Sequence, residues 1–200
     1  MPHEATVSHR EVVVSAPSPR VVGRTPAAPV GAASLCRMSE PIDPIRFRTV
    51  MGQVPTCVTV VTAMVDDAPV AMVIGSFVSV SLDPPLAGFF CTAGSYTWQQ
   101  LRQGETLGVN VLAADQDGVS GACMRDPEQR FEGLDWKLDG GAPRFADTTA
   151  FIRLTFNQVI DAGDHELALC NVVSMDTPED AREPLIFYGG RYRNLTATDH

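Results

Sequence analysis

The sequence predicts a mainly β domain, a barrel or a sandwich with a few short helices. Its body contains many short β-branched and apolar runs, separated by Gly, Pro and Asp turn signals. Apolar residues at helical spacing occur only in brief stretches, so the alternation of strands and long helices typical of a βαβ fold is missing. With 200 residues, 44% of them hydrophobic, the chain can form one domain with a core of ordinary size.

Two regions differ in composition. Residues 1–40 are rich in Ala, Pro, Val and Ser and lack a period of 2 or 3.6, which predicts a disordered tail. Residues 41–200 carry the periodic segments and form the predicted domain. Met38 stands near the end of the tail, and one hypothesis is that the biological chain begins there. Intact-mass measurement of native protein that starts at Met1 would contradict this hypothesis.

The first predicted elements are a short helix and a hairpin. Asp43 is a typical N-cap, and Pro44 suits the first helical position that follows it. A β-branched run over 57–65, a turn over 66–69 and a second run over 70–82 then predict a hairpin.

The later elements are mainly strands. Two prolines at 84–85 end the hairpin, and residues 86–92 are typical of a buried strand. Ser95 is expected to cap a short helix that contains Trp98, before a fourth strand over 107–112. After a polar loop-and-helix stretch over 113–149, three more strand-like runs cover residues 151–160, 166–175 and 185–188.

Charge and composition argue against several classes of function. A net charge of -9 disfavours binding to a nucleic-acid backbone. The sequence lacks a run of roughly 20 apolar residues and the order of a signal peptide, so we expect a cytoplasmic protein without membrane contact. The five cysteines form no CxxC pair, which argues against a disulfide framework or structural zinc. The sequence also lacks the GxGxxG and P-loop motifs of common nucleotide sites.

His165 is the one histidine in the body of the chain. The others, His3, His9 and His200, stand near the ends. We therefore expect no multi-histidine metal site, and imidazole chemistry would have to use the turn Gly163-Asp164-His165. The alternative is an ordinary tight turn, in which Asp and His tolerate unusual backbone angles.

Three further segments could bind a ligand, and each also has a purely structural interpretation. Gly75 precedes residues 76–81, whose amides could bond a flat ligand or belong to an ordinary amphipathic strand. Residues 93–98 offer hydroxyls for a phosphate, or a simple Ser N-cap. The tyrosines of 188–192 could stack on a planar ring or flank a core turn. The cations available for phosphates are Arg125, Arg130, Arg191 and Arg193.

Several motifs follow one another along residues 44–195 in a characteristic order. They occupy residues 47–52, 58–62, 76–85, 95–98, 109–113, 130–133, 161–165 and 184–192. In this order they resemble the short-chain flavin reductase family. The resemblance implies an FMN-binding split β-barrel, usually a homodimer, that transfers hydride from NADH or NADPH to FMN or FAD. Reduced flavin would then diffuse to a separate monooxygenase.

The resemblance also implies roles for individual residues. His165 would be the catalytic residue on the nicotinamide side, with Gly163 and Asp164 shaping that side. The strand with Val73, Ile74, Gly75, Ser76, Ser79 and Val80 would line the flavin ring. The other implied flavin contacts are Ala93, Gly94, Ser95 and Thr97 for the ribityl-phosphate arm, Asn110 and Val111 nearby, and Tyr188 and Arg191. A catalytic triad is not needed, because hydride transfer requires two stacked rings and no nucleophile.

Some positions depart from the family's usual pattern. Val73, Ile74 and Gly75 stand where Thr and Ser are often found, and Gly94 replaces a frequent basic residue. Without a basic residue at position 94, near the expected phosphate, we predict weak flavin binding. Weak binding suits a protein that uses flavin as a substrate and releases it. Preference between FMN and FAD stays open, and the lack of an arginine cluster favours NADH over NADPH. The alternative function is a split-barrel protein that retains its flavin and acts on another substrate or only binds.

Overall fold

The computed structural model describes residues 41–180 and 182–195. The predicted tail over 1–40, with Met38, lies outside the described residues. The helices are α1 (Pro44–Met51), α2 (Tyr96–Leu101) and α3 (Asp117–Cys123), with a 3₁₀ turn at Pro127–Gln129. The strands are β1 (Thr56–Cys57), β2 (Thr59–Val65), β3 (Ala68–Ile74), β4 (Val78–Leu82), β5 (Pro85–Thr92), β6 (Leu107–Val111), β7 (Trp136–Asp139), β8 (Ala142–Phe145), β9 (Ala150–Ala162), β10 (His165–Asp176), β11 (Ile186–Tyr188) and β12 (Arg191–Arg193).

Seven antiparallel strands form the main sheet, in the order β3-β2-β6-β9-β10-β5-β4. Strands β3 and β4 lie at opposite ends of this order, yet only residues 75–77 separate them in the chain. The sheet must therefore curl until its two ends meet. Ser76 Oγ marks the meeting point, since it accepts a hydrogen bond from Phe90 N at 2.9 Å and donates to Phe90 O at 3.2 Å. The predicted mainly β barrel is confirmed.

Strand β3 divides its side chains between two apolar cores. Met72 and Ile74 pack into the barrel interior with Phe89, Trp98 and Leu154. Ala71 and Val73 face the second core, which includes Val60, Leu112 and Phe145. This alternation follows from the two-residue period of a strand.

Most predicted elements are confirmed. Asp43 caps α1 by accepting from Ile45 N and Arg46 N, and the β2–β3 turn places Asp66 and Asp67 at positive φ, as a two-residue hairpin requires. The prediction of one strand over 70–82 is wrong, because the chain leaves β3 at Gly75 and crosses to the other end of the sheet. The sequence reasoning also missed the β7–β8 hairpin and strand β12.

No helix within the described ranges combines the length and the apolar character needed to cross a membrane.

Candidate active site

The β9–β10 turn and the end of β5 lie side by side. His165 pairs with Thr92 in the β10–β5 register, and Ala93 N donates to Asp164 O at 3.2 Å. His165 Nε2 also lies 3.5 Å from Thr92 Oγ1. The structure thus brings the predicted nicotinamide-side turn next to Ala93, Gly94 and Ser95, the start of the predicted phosphate arm site.

Asp164 orients the His165 ring. His165 Nδ1 donates to Asp164 Oδ1 at 2.7 Å. This hydrogen bond holds the pKa of Asp164 below its usual range, with the charge of His165 as the second cause. The His165 side chain is 43% exposed, so a ligand can reach a ring whose orientation is already fixed.

A cavity of about 190 Å³ lies at the end of β3, and we name it the Gly75 cavity. Val73, Ile74 and Gly75 line it, together with Cys57, Met124, Phe187 and Tyr192. A side chain at position 75 would narrow this space, because its Cβ would come within 3.0 Å of Thr56 Oγ1. Its mostly apolar lining with exposed backbone at Gly75 is what an aromatic ring system requires.

Arg130, one of the four arginines named from the sequence as available for phosphates, contacts the predicted phosphate-arm segment. Its Nη1 donates to Ala71 O at 2.8 Å and to Thr97 Oγ1 at 2.9 Å, and its Nε donates to Arg125 O. The guanidinium therefore lies where β3 meets the predicted phosphate-arm segment. Gly94 itself leaves open space, since a Cβ there would meet no atom within 4 Å.

Two pairs of predicted residues lie away from these features. Ser79 and Val80 are exposed on the edge strand β4, beside a bulge, and line neither this cavity nor the Arg130 contacts. Tyr188 and Arg191 face each other across the β11–β12 pair and are exposed. The cavity is lined instead by Phe187 and Tyr192, the neighbouring pair, since side chains alternate along a strand.

Asn110 has a structural role in the described chain. Its side chain is 0% exposed, donates to Val60 O, Thr62 Oγ1 and Pro143 O, and accepts from Phe145 N at 2.8 Å. These partners connect the sheet to the β7–β8 hairpin. The neighbouring Val111 O accepts from Thr149 N. Neither Asn110 nor Val111 lines the Gly75 cavity.

A carboxylate links α2 to strand β10. Glu166 accepts from the indole Nε1 of Trp98 and pairs with Arg102 at 3.1 Å. Trp98 is fully buried, and its backbone N donates to Ser95 Oγ at 3.3 Å. Glu166 therefore fixes α2, with Ser95 at its start, relative to the strand that begins at His165. The role of Glu166 could not be predicted from the sequence, because a single glutamate after the turn motif matches no known pattern.

A cavity of about 250 Å³, larger than the Gly75 cavity, is lined by Arg130 and Thr97, and two still larger cavities lie elsewhere. One of about 400 Å³ is lined by residues of the β7–β8 hairpin and by Asp147 and Pro178, and one of about 480 Å³ adjoins the β2–β3 turn. Neither contains a predicted site residue. Within residues 41–180 and 182–195, no group of three His, Cys, Asp or Glu side chains could hold a metal ion.

The residues present fit a flavin nucleotide. The Gly75 cavity offers an apolar surface for a ring, and Arg130 and Thr97 offer a cation and a hydroxyl for a phosphate. His165 lies beside Thr92, at the end of β5 that leads into the segment with Thr97.

Comparisons with known proteins agree with this interpretation. A family model described as "Flavin reductase like domain" matches residues 51–196. The reductase subunit HsaB of a flavin-dependent monooxygenase from Rhodococcus jostii is 38% identical over 159 residues, which cover 78% of this chain and 80% of HsaB. A flavin reductase from Pseudomonas putida is 38% identical over 168 residues, covering 83% of this chain and 97% of the relative. The NADH:FAD oxidoreductase SgcE6 of Streptomyces globisporus superposes with a TM-score of 0.73 at 33% identity, covering 80% of this chain and 99% of SgcE6.

Proposed function

The chain belongs to the flavin reductase-like family, and from this premise we propose that it is an NAD(P)H:flavin oxidoreductase. It transfers hydride from NADH to FMN or FAD and supplies reduced flavin to a partner monooxygenase. The observation that carries the assignment to this site is the contact of Ala93 N with Asp164 O, which joins the flavin-side and nicotinamide-side segments.

The residues of the chain supply position and polarity. When flavin is bound, its ring system accepts the hydride of a nicotinamide stacked against it. Val73 and Gly75 provide the apolar wall that excludes water from one face, and Arg130 with Thr97 binds the phosphate. Asp164 holds the His165 ring in one orientation for contact with the nicotinamide. No proton transfer by a side chain is required for the hydride step.

The rate of NADH oxidation tests this function. It is measured without flavin, with FMN and with FAD, and NADPH is substituted in parallel. We expect turnover that appears only with added flavin, saturates with it, and is faster with NADH. No turnover in any combination by folded protein would refute the reductase assignment. Stoichiometric flavin that survives purification would instead favour the alternative of a protein that retains its flavin.

A chemical experiment tests the location of the flavin ring independently of turnover. Cys57 lines the Gly75 cavity and is exposed, so FMN should protect it from alkylation. A Cys36→Ser background confines the signal to the described cysteines, of which Cys91, Cys123 and Cys170 are buried. Alkylation of Cys57 at an unchanged rate under saturating FMN would place the ring elsewhere.

We further infer that the protein forms a homodimer through α1. Ile45, Phe47 and Val50 on this helix are each more than half exposed, and none of its residues is buried. Neighbouring exposed apolar side chains of this kind are typical of a surface that another chain covers. Light scattering should give twice the mass of the chain, and a monomer at micromolar concentration would contradict the inference.

We also propose a cytoplasmic location, because NADH and unpaired cysteines both suit a reducing compartment. Fractionation of the source cells tests it, and recovery in an extracellular fraction would contradict it.

A further inference from the structure

Helix α3 and strand β12 both contribute to the lining of the Gly75 cavity. Tyr192 lines it from β12, and Met124 lines it directly after the last residue of α3. Ser120 lies four positions before Met124, so the two side chains share one face of the helix. Ser120 Oγ and Tyr192 Oη are joined by a hydrogen bond of 2.9 Å. We name these three residues the α3–β12 wall, because this bond ties the helix to the strand beside the cavity.

The bond to Ser120 fixes the hydroxyl end of the Tyr192 side chain. Ser120 is fully buried, so water does not compete for its hydroxyl. The Tyr192 ring also meets the Phe187 ring edge-on, with 5.8 Å between the centroids. Within the described chain, β12 is the last strand of the sheet β1-β11-β12 and pairs only with β11. The position of Tyr192 at the cavity therefore depends on these side-chain contacts.

Helix α3 is intrinsically weak. It has seven residues, and its N-cap residue Gln116 makes no side-chain capping bond. Two of the seven are Gly118 and Gly121, and glycine inside a helix is less favourable than alanine. A Cβ at either position would meet no atom within 4 Å, so alanine would fit at both. A helix of this kind depends on tertiary contacts for its stability, and the Ser120–Tyr192 bond is one of them.

The lining that β3 provides is held more firmly. Val73 and Ile74 belong to β3, whose seven residues all pair with β2. Thr59 on β2 also donates from Oγ1 to Ile74 O at 2.9 Å. The cavity can therefore widen at the α3–β12 wall without loss of the strand pairing that holds the main sheet together.

We propose that Ser120 is a positioning residue for flavin. Its bond to Tyr192 holds the α3–β12 wall against the bound ring, and the weakness of α3 lets this wall open when the flavin leaves. The proposal rests on the proposed function, because it takes the flavin ring to occupy the Gly75 cavity. A flavin that acts as a substrate must leave in every turnover, and the α3–β12 wall sets how fast it does so.

Two variants remove the hydrogen bond and retain the rest of the wall. Tyr192→Phe keeps the ring, and Ser120→Ala keeps the helix. Each should raise the Kd for FMN about fivefold, speed FMN dissociation by a similar factor and leave the KM for NADH unchanged. The double variant should bind FMN no more weakly than the weaker single variant, because both substitutions remove the same bond. Fluorescence titration gives the Kd, and dilution of the complex in a stopped-flow fluorimeter gives the dissociation rate.

Gly121→Ala should act in the opposite direction. It strengthens α3 without a steric conflict, so the Kd for FMN should fall about threefold and dissociation should slow. Asp67→Gly is the matched control, because it also stabilises the fold, by relieving a positive φ of 61° in the β2–β3 turn. Asp67 lines a different cavity from Tyr192, so Asp67→Gly should leave the Kd for FMN unchanged.

Three outcomes would overturn the proposal. They are Tyr192→Phe with the FMN affinity of the parent protein, Gly121→Ala with unchanged or faster FMN dissociation, and equal effects of Gly121→Ala and Asp67→Gly. If Ser120→Ala does not fold, Tyr192→Phe and Gly121→Ala decide the question. NADH oxidation with added flavin would persist in each of the three outcomes, so failure of the α3–β12 wall is distinguishable from failure of the reductase function.

Discussion

Replacing Glu166 by alanine should lower the free energy of unfolding by about 2–3 kcal/mol. Its carboxylate accepts from the indole N–H of Trp98, whose side chain is 0% exposed, and pairs with Arg102. Most of the loss comes from the indole, because a buried donor left without an acceptor costs about 1–3 kcal/mol. The Arg102 side chain is 37% exposed, so the ion pair adds at most about 1 kcal/mol.

Glu166→Gln separates these two contributions. Glutamine retains an oxygen that can accept from Trp98 Nε1 but loses the charge that faces Arg102. The expected loss is therefore about 1 kcal/mol or less. In Glu166→Ala combined with Trp98→Phe, the loss should be smaller than the sum of the two single losses, because no buried donor is left without an acceptor.

Equilibrium urea unfolding, followed by far-UV circular dichroism, measures these differences. Arg102→Gln is the control for the ion pair alone. A Glu166→Ala variant that matches the unsubstituted protein within about 0.5 kcal/mol would refute the reasoning. Since Glu166 also fixes α2 relative to the His165 turn, the KM for NADH should rise in Glu166→Ala and change little in Glu166→Gln.

Three further predictions concern the turn and the thiols. His165→Ala should raise the KM for NADH or lower kcat about tenfold, a factor that corresponds to the loss of one good hydrogen bond. Steady-state rates equal to those of the parent protein would contradict the role of His165 in binding the nicotinamide. The pKa of Asp164 lies below 3.8 in the folded state, so its bond to His165 should stabilise the fold above about pH 4 and lose that effect as the pH falls further. The urea unfolding midpoints of Asp164→Asn and of the parent protein should therefore differ at neutral pH and converge in acid. A difference that stays constant with pH would contradict a stabilising Asp164–His165 bond. In a Cys36→Ser background a thiol reagent should label Cys57 alone, because burial raises the pKa of the other three thiols to about 12, and mass spectrometry that finds a second labelled site would contradict it.

Local signals explain why much of the fold was predictable from the sequence. The Asp43 cap, the Asp66-Asp67 turn and the Ser95 cap each act through residues within a few positions, and each is present in the structure. The break at Gly75 was missed because apolar residues continue on both sides of it, so no local pattern ends there. The β7–β8 hairpin was missed because Lys137 and other polar residues on it are exposed and weaken the alternation.

The site depended more on contacts between distant residues. The adjacency of His165 to Thr92 follows from strand pairing over 73 positions, and the contact of Arg130 with Thr97 spans 33. Family resemblance indicated the segments, but not which side chains face the cavities. Asn110 illustrates the difficulty, because a polar residue inside a strand is equally typical of a ligand contact and of a buried network.

The order of the strands in the sheet has a consequence for synthesis of the protein. Strand β5, which leads into the predicted flavin-side segment, pairs with residues of β10 that leave the ribosome 73 to 85 positions later, from Thr92 with His165 to Leu86 with Asn171. Such long-range pairing delays folding, because closing a long loop must precede the contacts that stabilise it. A nascent chain that stops before residue 165 contains β3, β5 and Arg130 but lacks β10, the strand that holds β5 in place. We therefore expect flavin to stabilise the fold only after the β9–β10 hairpin has formed, and we expect chains truncated before residue 165 to bind no flavin.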